Sequence, residues 1–185
     1  MESVKRLPAE AAPVQKMHLV VWVIASIASI ILMVKLRQID SVLKSPDTPL
    51  GIVGYEFAWT RERAESMLRA WRGLGVLESA RESLLVDFAF LLAYPISLGL
   101  GCRLLARRRA RMFDHVGVTL SFAVLVCMPL DAVENLALLR MLESGASDGM
   151  ARVAAVSATI KFGLVLVAIL YLIVALLRRA LFRAR

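Results

Sequence analysis

Four long apolar segments, separated by charged stretches, dominate the pattern of hydrophobic and polar positions along this chain of 185 residues. A helix needs about 20 predominantly apolar residues to cross the roughly 30 Å hydrocarbon core of a bilayer. Each segment reaches that length and therefore predicts a transmembrane helix. The predicted spans cover residues 17–36, 83–104, 116–139 and 153–177. The sequence thus predicts an all-α fold, in which residues 1–185 form one integral membrane bundle of four transmembrane helices.

The connection between the first two spans, residues 37–82, is the longest polar segment. Its first part, from Ser45 to Gly54, is rich in residues typical of turns. An amphipathic helix is predicted to follow, with Thr60 as its N-cap and Gly73 near its end. Four apolar residues recur on one face of this helix: Ala64, Met67, Leu68 and Trp71. We expect it to lie on the membrane surface or over the mouth of the bundle, with its tryptophan at headgroup depth.

The composition of the chain supports the membrane interpretation and limits the kinds of partner that we expect. Hydrophobic residues make up 59% of the chain, against about 45–50% in a typical soluble domain. The net charge of +8 does not predict a nucleic-acid partner, because the cations flank the apolar segments instead of forming one stripe. Membrane lipids are the predicted partners. Cys102 and Cys127 both lie within apolar segments, so the sequence predicts no disulfide framework.

Lysine and arginine near the span ends predict the orientation. One side of the membrane would hold the N-terminus, the connection between the second and third spans, and the C-terminus. Twelve cations and three acids lie there, a net charge of +9, whereas the other side has ten cations and nine acids, a net charge of +1. Because cytoplasmic segments carry the excess of cations, we expect a multi-pass protein of the cytoplasmic (inner) membrane with both termini in the cytoplasm. The 37–82 connection would then be extracytoplasmic.

Several polar residues lie inside the predicted spans, where a charge costs at least about 2.5–3.5 kcal/mol at the bilayer centre and usually faces the bundle interior. Asp131, Glu134 and Asn135 form one stripe of the third span. Asp131 and Lys161 share the same predicted depth, about 12 Å below the extracytoplasmic end at the helical rise per residue. A polar pocket open to that side is therefore predicted. Its candidate residues are Asp87, Tyr94, Asp131, Glu134, Asn135 and Lys161.

These residues admit a purely structural interpretation beside the functional one. Asp131 and Lys161 predict an ion pair, and Tyr94 and Asn135 are typical of hydrogen bonds between helices. Glu134 has no predicted cation at its own level, so it is the expected functional acid if the pocket has one. The carboxylates would suit a hard divalent cation, but Lys161 already compensates them. We therefore predict no metal and no cofactor, and the catalytic residues, if any, are unknown.

Three short motifs within residues 50–140 carry a resemblance to known proteins. They are Tyr55-Glu56-Phe57, Asp87-Phe88-x-Phe90-x-x-x-Tyr94 and Pro129-x-Asp131-x-x-Glu134-Asn135, with the Trp71 helix between the first two. Together they resemble a widespread group of small bacterial four-span membrane proteins with a D-x-x-E-N third span. The resemblance implies the four-span architecture and carries no mechanism.

The sequence contains no H-E-x-x-H, G-x-S-x-G, phosphate-binding glycine loop or C-x-x-C motif. Three hypotheses follow. The first is a non-enzymatic membrane protein whose pocket binds a lipid or small molecule, or which serves in a membrane complex with a second copy or another protein. The second is an intramembrane enzyme that uses Asp131 and Glu134 as an acid/base pair on a lipid-like substrate. The third is an ion- or proton-coupled transporter.

Overall fold

The structure is a computed structural model that describes residues 11–106 and 112–183. In these two ranges the chain forms seven α-helices and no strand. A short 3₁₀ turn, Val124–Val126, joins the fifth helix to the sixth. The helices are α1 (Ala11–Leu43), α2 (Gly51–Glu56), α3 (Arg61–Gly73), α4 (Leu77–Leu105), α5 (Met112–Ala123), α6 (Cys127–Ser144) and α7 (Asp148–Arg183).

Four segments of the described chain are helical, long enough and apolar enough to cross a membrane. They are Val14–Leu43, Leu77–Leu105, Met112–Ser144 and Asp148–Leu181. The predicted all-α membrane bundle is therefore confirmed, and each helix extends beyond the predicted span. The third span contains the 3₁₀ turn just before Pro129. Because proline has no amide hydrogen, it cannot donate to the carbonyl one turn earlier, and the helix adjusts locally there.

Helix α1 lies at the periphery of the bundle and packs mainly against α4. Only 6% of its most apolar stretch is buried within the protein, so most of that surface is available to lipid. The α1–α4 contact includes a hydrogen bond of 2.8 Å between the hydroxyls of Ser26 and Ser97. Gly101, one turn from Ser97, lets α4 approach α1 closely, since an added Cβ would lie 3.3 Å from the Trp22 ring nitrogen. The small residues of α4 thus act in helix packing.

Helices α2 and α3 cover one end of the bundle, which we call the capped end. Trp71 of α3 is fully buried there. Its indole N–H donates to the Leu43 carbonyl over 2.9 Å, and its ring meets the Tyr55 ring edge-on at 5.3 Å. The Tyr55 hydroxyl in turn donates to the Leu138 carbonyl over 3.3 Å. Helix α3 therefore lies over the bundle, which is one of the two predicted placements, and Trp71 is a core residue instead of facing lipid. The depth of Trp71 in the membrane stays a prediction.

The amphipathic helix itself is confirmed as α3. The Thr60 side chain accepts a hydrogen bond from the Arg63 amide at its N-terminus, and all four predicted apolar residues are buried. Two further bonds hold α3 against the start of α7 and against the connection that precedes it. Asp148 accepts from the Arg61 amide over 2.8 Å, and Glu65 accepts from the Ala146 amide over 2.7 Å. This helix is therefore fixed to the bundle by polar contacts as well as by its apolar face.

Helix α2 was not predicted, because its glycines suggested a continuing turn. The turn itself ends at Thr48, whose amide donates to the Ser45 carbonyl over 3.0 Å. Asp40, near the end of α1, then accepts from the Ile52 amide over 2.7 Å and so binds the N-terminus of α2. Gly51 has a φ of 55° and lies against the Asp40 carboxylate, where a side chain would collide. A contact between distant parts of the chain therefore stabilises this short helix.

Part of the charge pattern that predicts the orientation lies outside the described residues. This applies to Glu2, Lys5, Arg6, Glu10, Arg107, Arg108, Arg109, Arg111 and Arg185. The orientation accordingly remains a prediction.

Candidate functional site

The polar residues predicted from the spans meet near the capped end, between α4, α6 and α7. Asp131 and Glu134 lie one turn apart on α6 and face Lys161 of α7. The Lys161 ammonium donates to Asp131 over 2.6 Å and to Glu134 over 2.9 Å. The side chains of the two acids are 2% and 0% exposed, respectively. The predicted Asp131–Lys161 pair is thus part of a three-residue ion pair.

The expectation that Glu134 lacks a cation is wrong. Residues three apart on a helix differ in depth by about 4.5 Å. A lysine side chain is long enough for its ammonium group to contact both residues despite this difference. Lys161 therefore compensates both acids of α6.

Two further hydrogen bonds connect α4 to this group. The Tyr94 hydroxyl donates to the second oxygen of Asp131 over 2.8 Å, so both oxygens of Asp131 are bound. The Asn135 amide donates to Asp87 over 2.7 Å. The structure therefore brings all six predicted residues together, but in two parts. One part is ion-paired around Lys161, and the other is the Asp87–Asn135 pair.

Glu56 at the end of α2 is a member of the cluster that the pocket prediction missed. Its Oε2 atom is buried and has no hydrogen-bond partner among the described residues, and the same holds for Oε2 of Glu134. Burial raises the pKa of Glu56 to about 7; Lys161 opposes this rise and Asp87 adds to it. Its position between two aromatic residues in the Tyr55-Glu56-Phe57 motif is the signal that could have revealed it.

A cavity of about 410 Å³ lies beside the cluster, within the range of about 300–1,000 Å³ that is usual for small-molecule sites. On α4 its wall runs from Ser83 to Leu98, about 22 Å along the helix axis. Most of the wall is apolar. The apolar lining includes Met33, Leu36, Leu84, Phe90, Leu98, Phe162, Val165 and Ile169, and the polar lining includes Arg37, Glu56, Asp87, Tyr94, Asp131, Asn135 and Lys161.

The donor set does not resemble a metal centre. Within residues 11–106 and 112–183, no three His, Cys, Asp or Glu side chains converge in a way that would hold a metal ion. The space between the acids of α6 is taken by the Lys161 ammonium instead. Cys102 and Cys127 are both free and buried, and they lie in separate clusters of the core.

Comparison of the chain with family models, with curated proteins and with solved structures finds no match. The resemblance to small bacterial four-span proteins therefore stays a prediction. The fold defines the class of protein, a helical membrane protein with four candidate spans.

The contacts divide the four carboxyls of the site into two that are ion-paired and two that are not. Asp131 and Glu134 are bound to Lys161, so their charge mainly holds α6 against α7. Asp87 and Glu56 both line the cavity, and neither forms an ion pair with a described residue. These two carboxyls are therefore the groups available to a bound molecule.

Proposed function

We propose that this protein binds an amphipathic molecule in the cavity near the capped end. The apolar part would lie between α1, α4 and α7, and the polar head would meet the buried cluster. The observation that carries the proposal is the lining of the cavity, which is mostly apolar and includes the polar groups of Asp87, Asn135 and Glu56. Binding sites for small molecules commonly combine apolar walls with a few fixed polar groups.

The cost of burying charge in a membrane supports this proposal. A cluster that only held helices together would be stable when packed and fully paired. Here the ion pair around Lys161 already fulfils that role. Asp87 and Glu56 line a space that is large enough for a ligand and form no ion pair with a described residue. Polar groups retained in such a position are typical of a functional site.

The acid/base hypothesis receives less support from the contacts. An acid/base pair needs groups that are free to exchange a proton with the substrate. Asp131 is bound on both oxygens, by Tyr94 and Lys161, and Glu134 is bound to Lys161 as well. No contact among the described residues specifically favours transport over binding.

We further propose that the capped end faces the extracytoplasmic side of the cytoplasmic membrane and that both termini lie in the cytoplasm. The excess of lysine and arginine in the segments at the other end supports this orientation. A cysteine at the exposed Asp47 should react with a membrane-impermeant thiol reagent in sealed cells, and one at Ala110 should not. The two native cysteines are buried and give a low background. Labelling at Ala110 in sealed cells would overturn the orientation.

Native mass spectrometry of the purified protein with 1-dodecanol as probe tests the binding function. Val165 lines the cavity, so Val165→Phe should fill part of it and lower the affinity for the probe. Val167, two residues further along α7, is 50% exposed and does not line the cavity, so Val167→Phe is the matched control. Equal binding by both variants and the parent would contradict the proposal.

A further inference from the structure

The polar end of the cavity contains more negative than positive groups. Four carboxyls meet there, those of Glu56, Asp87, Asp131 and Glu134, and the Lys161 ammonium is bound to the last two. Asp87 accepts a hydrogen bond from the neutral Asn135 amide. Oε2 of Glu56 is buried and accepts none from the described part of the chain. Lys161 and Arg37 also line the cavity. The four carboxyls of the cluster therefore outnumber the two cations, and neither Glu56 nor Asp87 forms an ion pair with a described residue.

A buried carboxylate without a counter-charge is costly, so it must either bind a proton or meet a cation from outside the chain. Burial raises the pKa of Glu56 to about 7, so near neutral pH a bound cation can readily take the place of its proton. A metal ion is disfavoured by the arrangement of ligands within the described ranges. An anionic head would approach several carboxyls at close range and is disfavoured by repulsion.

This inference rests on the proposed function and specifies the ligand class. We propose that the head of the bound amphiphile is a protonated amine that donates hydrogen bonds to Asp87 and Glu56. An ammonium group has three donors and no acceptor, which matches a site whose free atoms are carboxylate oxygens. The apolar chain would extend from this head along the wall that contains Phe90, Leu98 and Val165.

Three probes with the same chain and different heads test this proposal: dodecylamine, 1-dodecanol and dodecanoate. The full-length protein is held in phosphatidylcholine nanodiscs at neutral pH, and dissociation constants are measured by native mass spectrometry. Hydrogen bonds to charged groups are strong enough that the amine should bind at least about tenfold more tightly than the alcohol. Dodecanoate should bind more weakly than the alcohol.

Variants assign the preference to the two carboxyls. The double change Asp87→Asn with Glu56→Gln should reduce the affinity for the amine to that for the alcohol, and the affinity for the alcohol should not change. Glu82→Gln is the matched control, because Glu82 is an exposed carboxyl of α4 that pairs with Lys35. This control should keep the full preference for the amine.

A pH series on the parent protein gives a second measurement if the double variant does not fold. Besides Asp87, the groups that face Glu56 are Lys161 of α7 and Asp131 and Glu134 of α6. Arg37 of α1 lines the same cavity. As the pH falls below about 7, protonation of Glu56 should reduce the preference for the amine over the alcohol.

The source of the amine is distinguished by repeating the titration in nanodiscs that contain phosphatidylethanolamine. Competition with dodecylamine would support a membrane lipid with an amine head, and an unchanged dissociation constant would support a free amine amphiphile. Equal affinity for all three probes would overturn the amine assignment and leave the proposed function standing. Failure of every probe to bind would overturn both. An amine preference that survives in the double variant would overturn the assignment to Asp87 and Glu56.

Discussion

Two regions of the polar cluster differ in how their negative charge is balanced. At the interface between α6 and α7, Asp131 and Glu134 share the Lys161 ammonium at 2.6 and 2.9 Å. At the cavity wall formed by α2 and α4, Glu56 and Asp87 form no ion pair with a described residue. The first region resembles a structural contact that is complete within the chain. The second suggests a site completed by a proton or by a ligand.

Burial and ion pairing are two separate properties of an acid within a membrane span. A charged residue within a span is commonly taken as functional because its burial is costly. Here Asp131 and Glu134 are the more deeply buried acids, and both pair with Lys161. Asp87 and Glu56 line the cavity together with Asp131, but they form no ion pair with a described residue. If the proposed function holds, the absence of an ion pair, and not the depth of burial, marks the functional acids.

The largest effect is expected from Lys161→Met. This change leaves Asp131 and Glu134 buried without a counter-charge and should lower the free energy of unfolding by about 3–5 kcal/mol. The measurement is reversible unfolding in detergent micelles or bicelles. A loss below about 1 kcal/mol would show that the α6–α7 ion pair contributes little.

Neutralising the acids should reverse that loss. Because Lys161 contacts both acids, the triple change Asp131→Asn, Glu134→Gln and Lys161→Met should recover more stability than the double change without Glu134→Gln. Strong non-additivity is expected for residues in one contact network. If the single effects simply add, the three side chains do not interact.

A smaller effect is expected from Tyr94→Phe. The change removes the hydroxyl that donates to Asp131 over 2.8 Å. Hydrogen bonds to charged groups contribute about 1.5–3 kcal/mol, so stability should fall by that amount at most. An unchanged stability of Tyr94→Phe would mean that Lys161 alone fixes Asp131.

Glu56→Gln should have a small effect on stability at acidic pH and a distinct effect on its pH dependence. The pKa of Glu56 is raised from 4.5 to about 7, so the folded protein binds this proton more tightly than the unfolded chain does. The resulting stabilisation is fully present below about pH 4.5 and is lost as the pH rises to about 7. The difference in melting temperature between parent and variant should therefore change across this window. A constant difference would contradict the assignment.

The smallest effect is expected from Glu82→Gln. Glu82 pairs with Lys35 over 3.4 Å, and both side chains are about half exposed. Surface ion pairs contribute about 0–1 kcal/mol, so the melting temperature should change little. A large loss of stability would show that this exposed ion pair contributes as much as the buried pair around Lys161.

Much of the fold was open to prediction because the relevant signals are local. The length and apolar character of each span, the apolar face of α3 and the helical spacing of Asp131, Glu134 and Asn135 are all written in short stretches of sequence. Equal depth in antiparallel neighbours also predicted the contact between Asp131 and Lys161, which the structure confirms.

What the sequence by itself determined is thus which segments enter the membrane and which of their faces are polar. Only the tertiary structure decided that Trp71 is core, that residues 51–56 form a helix and that Glu56 enters the cluster. It also decided that Lys161 binds Glu134 as well as Asp131. The physical reason is that these features depend on partners far away along the chain. The period of a helix defines the face that a residue occupies, whereas packing between helices determines which groups meet that face.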